Sequence, residues 1–332
     1  MAASRQILEA SGVLSNSTLS LSLFSMADVD DHPWMIGNRM TFSVRPWDPP
    51  AEARGIFGGF LLAQSIRAGQ ETLPPAAEFS VHSLQSTFLR KGITDTKMRS
   101  HVDRVADGRT FATRLVRAMQ DGECIFMAVL GFQKRGTAST DGNGNTSNVF
   151  RYELQMPNMD GKSPLELPAG YEGFQHRMGV PPAIVDALQM PFEWRSLPYE
   201  PAPGGDPTAF RARSLVRSPR ISPGAPRVVH LAALAFLTDV WLLTVPHMAT
   251  GVEYGKVAGG ALGIQITLNH SVVFHDPDAR ADEWMVCLRT TEWAGEGRVL
   301  ITKRLWNAES GKLLLSSSQE GLMRYARKQA KI

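Results

Sequence analysis

The longest apolar run in the chain lies at 228–245, with the sequence VVHLAALAFLTDVWLLTV. Its apolar residues fall on nearly every side of a helix, and a helix with that pattern is buried. One acidic residue, Asp239, lies inside the run. An ionised carboxylate is costly to bury without donors or a partner charge. We therefore predict a buried helix at 228–245 and take Asp239 as the first candidate functional residue.

The first half of the chain carries a related pattern. A strand-like alternation at 41–47 is followed by Gly58 and Gly59, and then by apolar residues at helical spacing over 60–73. Paired glycines before a helix let another group approach its free N–H groups, although by themselves they favour a tight strand-to-helix turn. Four predicted strands follow, separated by turns at hairpin spacing: 79–90, 96–107, 110–119 and 124–135.

The second half repeats this order. The helix at 228–245 precedes predicted strands at 261–275, 283–294, 299–308 and 313–325. When the halves are aligned, matching residues recur at an offset of 188 or 189, as with His82 and His270 or Gly122 and Gly311. A nearly constant offset indicates a duplicated domain. A helix wrapped by an antiparallel sheet, present twice, predicts an α+β fold whose halves pack as an intramolecular dimer.

Composition changes between the repeats, where 137–209 is rich in proline and glycine. We therefore predict five parts in the chain. They are an N-terminal extension at 1–39, a first domain at 40–136, a connector at 137–209, a second domain at 210–326 and a basic tail at 327–332.

Charge and cysteine content exclude several classes of protein. The formal net charge is only +3 and the Lys and Arg residues are scattered, so no nucleic-acid-binding surface is indicated. Cys124 and Cys287 lie far apart on predicted strands without metal-ligand spacing, which favours buried reduced thiols. The run at 228–245 is just long enough to span a bilayer, but it contains His230 and Asp239. We therefore predict a soluble protein with no membrane span.

The two ends of the chain differ in how closely they resemble targeting signals. The N-terminal region makes a poor signal peptide, since its apolar residues are interrupted. The last three residues, Ala330, Lys331 and Ile332, have the small-basic-aliphatic form of a peroxisomal address. We predict a peroxisomal location through the import receptor that binds this tripeptide. The alternative is a frayed basic tail on a cytoplasmic protein.

Several short motifs occur in order along the two repeats. They are RGIFGG at 54–59, His82-Ser83, FLRKG at 88–92, the Asp239 helix, TLNHS at 267–271 with Phe274-His275, and QEGLMR at 319–324. In this order and at these separations they resemble the acyl-CoA thioesterase II family. The resemblance covers most of 40–135 and 228–325. It implies a double hotdog fold, in which each of two tandem domains wraps an antiparallel sheet around a long central helix.

The same resemblance implies an activity and a site. Members hydrolyse acyl-CoA to free acid and CoA, and Asp239, Thr267 and Gln319 match the positions that hold the hydrolytic water. The matching motifs also assign substrate binding to Gly58, Gly59 and His82, and no metal or redox cofactor. The sequence departs from the family at two positions. Asn269 stands where Asp is usual, and Phe60 stands where Gln is usual, which affects chain-length preference and CoA contacts more than the chemistry.

The chemistry of these side chains is consistent with that role. A thioester is hydrolysed when a water is oriented and relieved of a proton, which a carboxylate with a raised pKa can do. Thr267 and Gln319 can bind that water but are too weak as bases. The developing oxyanion needs N–H donors, which a helix N-terminus near glycine can supply. The sequence leaves open which half supplies them.

Other functions remain as alternatives. His270-Ser271 with Asp239 suggests a Ser-His-Asp triad, but adjacent strand residues point to opposite faces and no G-x-S-x-G elbow is present. An enoyl-CoA hydratase or dehydratase with this fold would use an Asp/His pair. A third alternative is a protein of this fold that binds acyl-CoA without turnover. Taken by itself, Asp239 is also explained as a structural carboxylate bonded to backbone donors. The helix of the first half has no carboxylate before Glu71, so we predict one working site per chain. Separately, the outer surfaces of the two domains offer a route to a homo-oligomer.

Overall fold

The structure is a computed structural model that describes residues 34–36, 39–44, 55–74, 78–136, 150–167, 192–197, 202–251 and 262–325. Twelve β-strands and three longer helices lie within these residues. The first half contains β1 (Trp34–Ile36), β2 (Arg39–Val44), α1 (Gly58–Gln70), β3 (Phe79–Phe88), β4 (Met98–Asp107), β5 (Phe111–Gln120) and β6 (Glu123–Lys134). The second half contains β7 (Glu193–Ser196), β8 (Ala212–Arg217), α2 (Arg227–Asp239), α3 (Val245–Thr250), β9 (Leu262–Phe274), β10 (Met285–Gly295), β11 (Arg298–Asn307) and β12 (Leu313–Tyr325).

All twelve strands form one antiparallel sheet, in the order β1-β2-β4-β5-β6-β3-β9-β12-β11-β10-β8-β7. The halves meet where β3 pairs with β9, with Ser83 opposite Val273 and Thr87 opposite Asn269. From this junction outward the two halves have the same strand order, β3-β6-β5-β4-β2 and β9-β12-β11-β10-β8. The predicted α+β double hotdog is therefore confirmed.

The central helices pack against each other and against the sheet. Every residue of α2 from Val228 to Thr238 is buried, as the sequence predicted. The N-terminal end of α1 meets the C-terminal end of α2, where the rings of Phe57 and Phe236 lie 4.9 Å apart. Both helices belong to one hydrophobic core that extends across the two halves.

The predicted helix at 228–245 is wrong at its C-terminal end. Helix α2 ends at Asp239, and Val240 is already extended, with φ −64° and ψ 123°. Trp241 then adopts a left-handed conformation with φ 57°, and α3 begins at Val245. Because the residues on both sides of the break are buried, the apolar pattern continues across it and hides it from the sequence.

The remaining elements follow the sequence closely. Each of the eight strands predicted after the two helices is present, with ends displaced by at most two residues. Strand β7 pairs with β8 at the edge of the sheet, and Trp194 of β7 is buried in the common core. Cys287 is buried as predicted, whereas Cys124 is only partly buried, and both are free thiols. The boundaries of the five predicted parts stay a prediction.

No helix within the described part of the chain is long and apolar enough to cross a membrane. The sequence before residue 34 and the C-terminal tripeptide at 330–332 lie outside the described residues.

Candidate active site

The site is built where the two central helices meet. Asp239 is the last residue of α2, and its Oδ2 accepts a hydrogen bond of 2.9 Å from the N–H of Gly59 in α1. A Cβ on Gly58 would lie 2.7 Å from that oxygen, and one on Gly59 would lie 2.5 Å from the carbonyl oxygen of Phe236. The glycine pair is therefore required for the helices to approach each other closely.

Two strands of the second half complete the site. Gln319 of β12 donates from Nε2 to Asp239 Oδ1 at 3.0 Å, and Thr267 Oγ1 of β9 lies 3.4 Å from the same oxygen. The Gln319 amide also donates to Thr267 Oγ1. The structure thus brings together all three residues that the family resemblance assigned to the hydrolytic water.

A β-bulge brings Thr267 to this face of the sheet. Gln319 lies opposite His270, but between Glu320 and Gly321 the register shifts, so that Gly321 pairs with Thr267 and Leu268 is the extra residue. In a regular strand, residues three apart point to opposite faces. The bulge reverses that alternation and turns Thr267 towards Gln319.

The environment of Asp239 weakens it as an acid. Burial raises the pKa of Asp239 above its usual range, and the nearby Lys303 cation and the hydrogen bonds from Gly59, Gln319 and Thr267 oppose this shift. The C-terminal end of a helix carries partial negative charge, which also disfavours a carboxylate there. Asp239 is therefore a stronger base than an exposed aspartate and is held by directed donors.

Lys303 was missed in the sequence analysis. It is fully buried on β11, and its Nζ donates to the carbonyl oxygens of Leu237 and Val240, both at 2.7 Å. The sequence contains a signal for it, because every second residue of β11 faces the core. Lys303 belongs to the same inward-facing set as Val299, Ile301 and Leu305. A lysine in the inward register of a strand marks a buried cation.

His270 takes no part in a catalytic triad. It is buried, and neither ring nitrogen has a hydrogen-bond partner among the described residues. Burial lowers its pKa to about 3, so the ring is neutral at physiological pH. Asp239 therefore forms neither the Ser-His-Asp arrangement nor the Asp/His pair that a hydratase of this fold would use.

The other predicted site residues divide into two groups. Gly58 and Gly59 lie against Asp239, as described above. His82 lies elsewhere: its ring packs edge-on against Phe111 at 5.8 Å and fills the space beside Gly131. The described contacts of His82 include none with Asp239, Thr267 or Gln319, and its role in binding substrate stays a prediction.

The two departures from the family pattern have clear environments. Asn269 accepts a hydrogen bond from Thr87 across the junction of the halves at 3.0 Å and donates to Glu320 at 2.7 Å. An aspartate at this position would place a second negative charge beside Glu320 and lose that donor. Phe60 is buried in the core near the start of α1.

In the part of the chain that the structure describes, no cluster of three or more His, Cys, Asp or Glu side chains could hold a metal ion.

Comparison with protein families gives two adjacent matches. A family model described as the acyl-CoA thioesterase N-terminal domain matches residues 44–133, and one described as the acyl-CoA thioesterase C-terminal domain matches residues 164–323. The first contains α1 with its glycine pair, and the second contains Asp239, Thr267 and Gln319. Together they cover well over half of the chain.

Related proteins match over most of their length. Acyl-coenzyme A thioesterase 8 of Mus musculus is 25% identical over 297 residues, which covers 84% of this chain and 82% of that protein. Peroxisomal acyl-coenzyme A thioester hydrolase 1 of Saccharomyces cerevisiae is 23% identical over 316 residues, which covers 83% and 88%.

Solved structures share the architecture. The acyl-CoA thioesterase II TesB2 of Mycobacterium marinum gives a TM-score of 0.66 at 26% identity, over 93% of this chain and 99% of that one. A protein of Alicyclobacillus acidocaldarius with a hot dog fold gives 0.65 at 18% identity, over 89% and 97%, and supports the fold alone. The paired domain matches, the related proteins and the shared architecture together show that the chain belongs to the acyl-CoA thioesterase II family and is a thioester hydrolase.

Proposed function

We propose that this thioesterase hydrolyses acyl-CoA by direct attack of a water molecule held by Asp239, Thr267 and Gln319. The observation that carries the proposal is the convergence of a carboxylate, a hydroxyl and an amide from three elements on one point. The Oε1 of Gln319 is buried and has no hydrogen-bond partner among the described residues. It is therefore a further acceptor for a water proton, beside the carboxylate of Asp239.

The proposed reaction has two steps. Asp239 takes a proton from the water while the oxygen of the water attacks the acyl carbonyl carbon. This attack gives a tetrahedral oxyanion. The carbon–sulfur bond then breaks, and the proton held by Asp239 passes to the departing CoA sulfur. The raised pKa of Asp239 suits both steps, since the group must accept a proton and then give it back.

The oxyanion requires donors, and the start of α1 is the candidate. The first N–H groups of a helix have no partner within the helix. Here the N–H of Gly59 binds Asp239 and that of Phe60 binds the carbonyl oxygen of Phe57. We assign the N–H of Gly58 to the oxyanion, so that the first half supplies the donor and the second half supplies the base.

The test of the catalytic assignment is Asp239→Asn, which keeps the size of the side chain but removes the base. CoA release, followed by a thiol reagent, should fall about a hundredfold to ten-thousandfold, which is the usual contribution of a general base. Circular dichroism and Tm should show a folded protein. Undiminished CoA release in a folded variant would overturn the assignment.

We also propose that the enzyme is peroxisomal. The support is the tripeptide Ala330-Lys331-Ile332 at the C-terminus and a relative in Saccharomyces cerevisiae whose name places it in the peroxisome. A fluorescent protein fused to the N-terminus should co-localise with a peroxisomal marker in cells. Deletion of residues 330–332 should make the fluorescence diffuse. Retention of the punctate pattern after deletion, or a diffuse pattern before it, would contradict the proposal.

A further inference from the structure

Lys303 is a buried cation without a carboxylate bound to it. Its ammonium group donates to the carbonyl oxygens of Leu237 and Val240, and no described residue forms an ion pair with it. A charge buried in this way is costly unless it is paired. A nearby negative charge would reduce this cost. The two carbonyls that Lys303 binds lie on either side of Asp239 in the chain, so Asp239 is the candidate.

The first half of the chain offers a direct comparison. At an offset of 189, Arg114 of β5 occupies the position of Lys303, is also fully buried, and lies just beyond the end of α1. Arg114 donates to Thr72 Oγ1 at 2.6 Å and to its carbonyl oxygen at 3.4 Å, but it also pairs with Asp107 at 2.5 Å. Both halves therefore place a buried cation at the end of the central helix. Only the cation of the second half lacks a carboxylate of its own.

The charged and titratable groups around Lys303 come from several elements. Arg289 and Cys287 lie on β10, His270 on β9 and Asp239 at the end of α2. The Trp194 ring of β7 lies beneath the cations, 5.9 Å from Lys303 Nζ and 5.5 Å from the Arg289 guanidinium. Asp239 is the one carboxylate in this set. Burial lowers the pKa of Lys303 to about 7; Arg289 strengthens this shift, whereas Cys287 and Asp239 oppose it.

We propose that Lys303 is a positioning residue of the active site: it fixes the end of α2 and keeps the Asp239 carboxylate ionised. The inference rests on the proposed function, in which Asp239 is the base. A cation at the C-terminal end of a helix counters the partial negative charge there. The same cation favours the charged form of a nearby carboxylate. Lys303 therefore offsets two effects that would otherwise protonate Asp239, burial and the end of the helix.

The test is the pH dependence of kcat/KM in Lys303→Met. If Asp239 must be ionised, kcat/KM falls as pH decreases through its pKa, and loss of the cation raises that pKa. The acidic limb of the profile should move to higher pH by roughly one unit, which is about a tenfold loss below the limb. KM should change little. The difference from the wild type should narrow above about pH 7, where Lys303 itself loses its charge.

Two companion variants separate charge from structure. Lys303→Arg keeps the charge and should retain the wild-type limb, whereas Lys303→Gln keeps donors for the carbonyls without the charge and should move the limb as methionine does. The matched control is Arg114→Met, which removes the equivalent cation of the first half. It should lower Tm but leave the acidic limb in place.

These variants distinguish a failure of the role of Lys303 from a failure of the catalytic assignment of Asp239. Wild-type limbs in folded Lys303→Met and Lys303→Gln, with Asp239→Asn inactive, would overturn the role of Lys303 alone. An equal shift in Arg114→Met would overturn it as well. If Lys303→Met does not fold, the limb of Lys303→Gln decides the question. Activity retained in Asp239→Asn would instead overturn the proposed function.

Discussion

At the scale of single residues, the site depends on the three hydrogen-bond donors that hold the Asp239 carboxylate. Asp239 Oδ1 is approached by both Gln319 and Thr267, while Oδ2 receives the N–H of Gly59. These donors hold the carboxylate in one orientation despite the burial that raises its pKa. In the proposed mechanism, Gln319 therefore orients both the base and the water.

Replacement of Gln319 tests that role. Gln319→Leu removes the donor to Asp239 and Thr267 while keeping a buried side chain of similar size. Hydrogen bonds to charged groups contribute about 1.5–3 kcal/mol, so kcat should fall roughly tenfold to a hundredfold. Gln319→Glu should be worse at neutral pH, because a second carboxylate raises the pKa of Asp239. Steady-state CoA release measures both, and a wild-type kcat in either variant would contradict the role.

The sequence identified these residues unequally. Asp239 could be found from the apolar pattern alone, because a carboxylate interrupts it. Thr267 could not, because the alternation of residues along a strand does not reveal the bulge at Leu268. That bulge turns Thr267 towards Gln319. Only the resemblance to a family supplied it. Lys303 was within reach, because period-two alternation places it in the inward register of β11.

At the scale of elements, the site is set by the approach of α1 to α2. The glycine pair allows this approach, and the end of α2 at Asp239 frees the carbonyls that Lys303 binds. The sequence predicted both helices but extended α2 to residue 245. No glycine or proline within the next five residues marks the end of α2 in the sequence. The carbonyls freed there are bound instead by a side chain from a distant strand.

Gly59→Ala tests the close approach of the helices. The added Cβ would lie 2.5 Å from the carbonyl oxygen of Phe236 and 2.5 Å from the Phe57 ring, so the helices must separate. We expect a loss of about 1–3 kcal/mol in the free energy of unfolding, as for overpacking elsewhere, and a lower kcat because the Gly59 N–H moves from Asp239.

The matched control is Gly224→Ala, where a Cβ meets nothing within 4 Å. Its stability should stay the same or rise slightly, because alanine restricts the unfolded chain. Chemical denaturation and CoA release measure the two effects. Equal stability and kcat in the two variants would contradict the account of the glycine pair.

At the scale of the whole molecule, duplication has produced two unequal halves. The constant offset of 188 or 189 was enough to predict two tandem domains, and the matching strand orders confirm it. The pairing of β3 with β9 could not be predicted, because no local pattern specifies which strands of two separate sheets will join. Whether the chain forms a homo-oligomer stays a prediction.

The halves differ at the positions to which the proposed function assigns the chemistry. Helices α1 and α2 have 13 residues each, but α1 ends at Gln70 where α2 ends at Asp239. In the sheet register, Phe132 takes the position of Gln319, because Phe132 lies opposite Ala112 and Gln319 lies opposite Ile301, 189 residues further on. Phe132 is buried in the core. The first half therefore lacks both the base and the amide, which supports one working site per chain.

The measurement that tests the central claim most directly is CoA release by Asp239→Asn beside Glu71→Gln, at equal concentrations of folded enzyme. Glu71 is the carboxylate nearest the end of α1, where it pairs with Arg67 at the surface. The account predicts that kcat falls about a hundredfold or more in Asp239→Asn and stays at the wild-type value in Glu71→Gln. Comparable rates in the two variants, or a loss confined to Glu71→Gln, would contradict it.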